Sequence, residues 1–134
     1  MALTTNLSRG NTCAIDMAKE TAIGGGAADA NQNIFMTAGR LFYVRADNSH
    51  SNRAYLKLYN SKSVTVGTTV PEVMIPLNGS GTDGGHTIIV VATGLKFDTA
   101  FSMAATASND STSTADPDDT TLAVDVVFAK TSDV

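Results

Sequence analysis

From Gly39 to Leu77 the sequence keeps a period of two through two successive runs, GRLFYVRADN and RAYLKLYN, and then reaches TVGTTVPEVMIPLN, an apolar stretch flanked by prolines. In the first run Phe42, Val44 and Ala46 alternate with Leu41, Tyr43 and Arg45. In the second, Ala54, Leu56 and Leu58 alternate with Tyr55, Lys57 and Tyr59. Such alternation places successive side chains on opposite faces of a strand. The intervening DNSHSN is small and polar, which predicts a surface turn and a hairpin between antiparallel neighbours. One face of that hairpin is aliphatic. The other carries tyrosines and bases whose stems can lie on a neighbour.

The remaining sequence has the same texture. Val73, Ile75 and Leu77 alternate with Glu72, Met74 and Pro76, and a proline without an N–H predicts a sheet edge there. HTIIVVA is a continuous apolar run, predicted to be covered on both faces before Gly94 turns the chain. Phe101, Met103 and Ala105 alternate with Ser102, Ala104 and Thr106 in the next strand, and the last carries Leu122, Val124, Val126 and Phe128 on one face, with Asp125 pointing the other way. Seven to nine short strands at roughly ten-residue intervals predict an all-β sandwich, jelly-roll or immunoglobulin-like. A body over residues 34–130 follows, with a frayed tail at 131–134.

The first 33 residues are less patterned. Thr12 to Ala18 reads as a strand in preference to a short helix from Ile15 to Ala22. Gly24, Gly25 and Gly26 predict a hinge, hence an N-terminal arm whose apolar residues, Ile15 and Met17, are candidate contacts with a neighbouring subunit.

Composition excludes some roles. A net charge of −4, without any cluster of basic residues, argues against direct nucleic-acid binding, which requires a basic face. The single Cys13 cannot form an internal disulfide, so synthesis in a reducing cytoplasm is expected. Neither a secretion signal nor an apolar run of about 18 residues is visible.

Chemical motifs are sparse. His50 and His86 stand apart from any zinc-ligand spacing, and Cys13 has no orienting base. Asp110, Asp116, Asp118 and Asp119 could supply oxygens to calcium, but Pro117 among them reads equally as a turn whose aspartates cap local N–H groups. Gly79, Gly81, Gly84 and Gly85 lack the lysine of a phosphate-binding loop. Tyr43, Tyr55 and Tyr59 could stack on a sugar, although packing is the simpler role. No catalytic constellation is visible, and no cofactor is implied.

The strand sequences resemble those of small bacteriophage virion proteins of the capsid decoration, or cement, type. The resemblance rests on Gly39, Leu41, Val44 and Asn48; on Ala54, Tyr55, Lys57, Leu58 and Tyr59; on Val66, Gly67, Thr68 and Pro71; and on Ile75 and Pro76. Gly94, Leu95 and Phe97 continue it, and Leu122 to Phe128 matches the closing strand. It implies a β-sandwich that forms dimers or trimers and sits over junctions between major capsid subunits on the capsid exterior. It brings no catalytic residues. The expected contacts are Tyr43, Tyr55, Lys57 and Tyr59, together with Ile15 and Met17 in the arm. The competing expectation is a host-attachment or carbohydrate-binding module on a tail or fibre, and a small hydrolase or metal enzyme comes third.

Overall fold

A computed structural model describes residues 3–6, 15–20, 23, 30–80, 85–115, 117 and 122–130. The eight strands are β1 (Leu3–Asn6), β2 (Ile15–Glu20), β3 (Gly39–Asn48), β4 (Ala54–Asn60), β5 (Val73–Leu77), β6 (His86–Phe97), β7 (Phe101–Thr106) and β8 (Leu122–Lys130). They form two antiparallel sheets, ordered β1-β2-β8-β3-β6 and β5-β4-β7. Among the described residues there is no helix.

The pairings nest. β4 pairs with β5, β3 with β6, the segment at 31–34 with β7, and β2 with β8. The third rung consists of the Asn31–Met103 bridge, whose backbones exchange bonds of 2.7 and 3.0 Å, and of Ile34 N–H donating to Phe101 O at 3.0 Å. Four nested rungs describe one long antiparallel ribbon. The lateral pairings of β3 with β8 and of β4 with β7 roll that ribbon into two layers, which is the jelly-roll arrangement rather than the immunoglobulin-like one.

Alternation explains the core. Val44 and Ala46 of β3 and Val124, Val126 and Phe128 of β8 face Leu56 and Leu58 of β4, Ile75 and Leu77 of β5, and Met103 and Ala105 of β7. Four phenylalanines occupy the centre. Phe35 stacks on Phe128 with centroids 4.5 Å apart, and Phe97 meets Phe101 edge-on at 5.0 Å. Ring contacts of this kind add to the hydrophobic burial of each aromatic.

Several expectations change here. β3 and β4 are not a hairpin, because they belong to different sheets. Residues 47–52 instead carry the chain between layers, and the buried Asn48 fixes the corner by donating to Asn52 O at 2.9 Å and to Leu77 O at 3.4 Å. The alternation in β3 also slips. A bulge between Leu41 and Tyr43 lets Leu41 and Val44 both point inward: against β8 Phe42 is the extra residue, whereas against β6 the excess lies in β6, where Val91 to Gly94 oppose Phe42. Gly94 does not end a strand but lies within β6 beside that bulge, at φ +76°, where a Cβ would lie 2.7 Å from Arg40 Cβ and 2.9 Å from the Phe42 ring.

The proposed arm is revised too. β2 is a body strand between β1 and β8, with Ala18 in the core. Its inward positions also hold Asp16, which lies 3.3 Å from Lys130 Nζ, and Glu20, which accepts from Asn31 Nδ2 at 2.9 Å. Carboxylates on the inner face obscured the strand pattern. The glycines at 24–26 lie outside the described residues. β5 is an edge strand, as Pro76 predicts.

Candidate functional site

The two sheets treat their outer faces differently. On the three-stranded sheet, Lys57 and Tyr59 of β4 and Ser102, Ala104 and Thr106 of β7 are fully buried, although they alternate with core residues. The chain itself covers them. Tyr59 and Ala104 pack with Val64 and Val66, and Lys57 Nζ donates to Asp110 O at 2.7 Å and to Ser113 O at 3.2 Å. Burial pulls the Lys57 ammonium below its usual range, opposed by the charge of Asp110. It pushes the Tyr59 phenol up. Lys57 and Tyr59 therefore offer no surface to another molecule, which corrects their expected role as contacts. Tyr55, beside them, is half-buried.

The five-stranded sheet is bare on its outer face. Register aligns Met17, Val127, Tyr43 and Val90 in one row across β2, β8, β3 and β6, and Lys19, Asp125, Arg45 and Ile88 in the next. Met17 is 50% exposed, Ile88 59% and Val90 70%. Between the rows lies a shallow hollow of about 390 Å³ lined by Met17, Lys19, Tyr43, Arg45, Asp125 and Val127. HTIIVVA is thus covered on one face only: Ile89 packs on the core while Ile88 and Val90 face out. β6 is also the sheet edge. Its second half is blunted by the bulge and by Lys96, whereas His86 to Val90 keeps an unbroken register and exposes Ile88 and Val90.

Electrostatics along this face are ordered. Arg45 lies 3.2 Å from Asp47, and His86 Nδ1 lies 2.5 Å from the other Asp47 oxygen. Partial burial would raise the Asp47 carboxyl, but the bond from His86 and the charge of Arg45 outweigh it and hold it below the usual range. Asp125 Oδ1 is buried with no hydrogen-bond partner among the described residues.

The structure thus brings Tyr43 and Met17 together on one open face, separate from Tyr55, Lys57 and Tyr59. Ile15 pairs through its backbone with Ala129, and its side chain lies outside the described residues. Ile88 and Val90 were missed as surface residues, since a continuous apolar run reads as covered on both faces. The histidines do other work: the His50 ring accepts from Asn52 N–H at 3.1 Å within the corner, and His86 joins Asp47. Asp110 caps its own turn, accepting from Thr112 N–H at 2.9 Å and Thr112 Oγ1 at 2.8 Å. Asp116, Asp118 and Asp119 lie outside the described residues. Among the described residues no three His, Cys, Asp or Glu side chains are grouped to hold a metal, and no helix is long and apolar enough to cross a membrane.

No family model, curated protein or solved structure matches the chain.

Proposed function

We propose that this is a structural, non-enzymatic component of a bacteriophage particle: a decoration, or cement, protein that sits over junctions between major capsid subunits on the capsid exterior. One observation supports the reading above others. The chain spends two loops covering β4 and β7 on the outer face of one sheet, yet leaves on the other an apolar row, an aligned charged row and an edge strand with exposed apolar side chains. Exposed apolar patches and unblunted edges favour association, and a subunit destined for an assembly has a use for both. Repeated over a shell, modest contacts of this kind add up, so each copy need not bind tightly. The jelly-roll body suits the role, since two packed layers fix the side chains of the open face on strands rather than on loops.

The test is cosedimentation with empty heads of the phage that encodes the chain. The expected result is saturable pelleting with heads, and greater resistance of those heads to heat. Protein left in the supernatant with heads but pelleting with isolated tails would replace the reading with the tail-associated one.

A further inference from the structure

The open face is self-complementary, and we propose that two copies of the chain pack these faces together across a two-fold axis running along the strands between β8 and β3. An isologous contact requires each patch to match itself after rotation. About this axis β8 of one copy lies over β3 of the other, and β2 over β6. The apolar row falls on itself: Val127 meets the partner's Tyr43, and Met17 meets the partner's Val90. In the next row Asp125 meets the partner's Arg45, and Lys19 lays its stem over the partner's Ile88.

Charge selects this axis over its alternatives. An axis along β8 would set Asp125 on its own copy. An in-plane axis across the strands would exchange the rows, laying charged residues on apolar ones. Asp125 is half-buried and lines the hollow of this face, where a side chain of a second copy can meet it. Arg45 is still half-exposed beside Asp47 and has donors in excess of that one contact. Sheets packed face to face keep their strands within about 30° of each other, so the pairs nearest the axis align best. Those are the Val127–Tyr43 and Asp125–Arg45 pairs.

The inference rests on the chemistry of the face and not on the particle role. Sedimentation velocity of the wild type and of two single variants tests it. The wild type is expected to dimerise reversibly. Asp125→Arg and Arg45→Asp each set like charges across the axis and are expected to weaken self-association roughly tenfold or more. An equimolar mixture of the two is expected to recover the dimer, since both contacts in the mixed pair then join opposite charges. Rescue on mixing can arise only between chains.

Met17→Glu and Val90→Lys form a second pair at exposed positions, where neither substitution threatens the fold, and the same rescue is expected on mixing them. It decides the matter if the first pair fails to fold. A monomeric wild type, or folded variants that stay monomeric when mixed, overturns the proposal. A monomer that still pellets with heads would overturn this inference alone, whereas a dimer that ignores heads would overturn only the particle role.

Discussion

Replacing Phe128 with alanine is expected to lower the free energy of unfolding by about 3–5 kcal/mol, the range for truncating a buried phenylalanine. Phe128 is fully buried, stacks on Phe35 at 4.5 Å and lies 5.8 Å from Phe101, so its loss opens a cavity bordered by two other rings. The ring also joins the layers. It stands on β8 in the five-stranded sheet, while Phe101 belongs to β7 in the three-stranded one. A domain typically has only about 5–15 kcal/mol in total, so the variant should unfold at far lower denaturant. Val70→Ala, at an exposed position outside the open face, is the control and should change stability by about 0.5 kcal/mol or less. A Phe128→Ala cost no larger than that of Val70→Ala would contradict the two-layer core.

Lys57→Ala is expected to cost about 2–3 kcal/mol and to release the loop at 107–115. The ammonium holds two carbonyls of that loop, and hydrogen bonds involving a charged group are worth about 1.5–3 kcal/mol each, less where water can replace them. Truncation also empties the space beneath the loop. Lys57→Met keeps most of the stem and removes a buried charge, whose desolvation offsets much of its attraction. Methionine should therefore cost less than alanine while loosening the loop comparably. Denaturation gives the first quantity, and hydrogen exchange or limited proteolysis at 107–115 the second. Wild-type stability and loop protection in both variants would mean that Lys57 does not hold the loop down.

How far the sequence reveals this molecule depends on whether the deciding contact is local. β5, β7 and β8 are legible because their alternation is unbroken and one face of each meets only core, and Pro76 marks its edge by a missing N–H. The β3–β4 connection is misleading, since a small polar hexapeptide serves equally as a hairpin turn or as a corner. What makes it a corner is that the two strands find their partners elsewhere in the chain, β3 on β6 and β8 and β4 on β5 and β7. The bulge at Phe42 against β8 is hidden because the extra residue is as apolar as its neighbours. In β2 the inward Asp16 and Glu20 break the expected pattern, and their partners Lys130 and Asn31 come from elsewhere in the chain.

The candidate site shows the same limit more sharply. Lys57 and Tyr59 sit on what alternation marks as the outer face, but loops at 61–66 and 107–115 fold over them. Ile88 and Val90 look like core and are bare, because β6 is an edge strand with only one covered face. Alternation tells which side chains share a face. It does not tell whether the chain itself or another molecule covers that face.

The central claim is that the outer face of the five-stranded sheet is covered on assembly, whereas β4 and β7 of the other sheet are already covered by the chain itself. Hydroxyl-radical footprinting of the dilute protein against the assembled particle measures this directly. The account predicts protection of Met17, Tyr43, Ile88 and Val90 on assembly, with Tyr59 unreactive in both states. Unchanged labelling of Met17 and Val90, with protection confined to Val70 in the loop before β5 and to Met74 on β5, would contradict it.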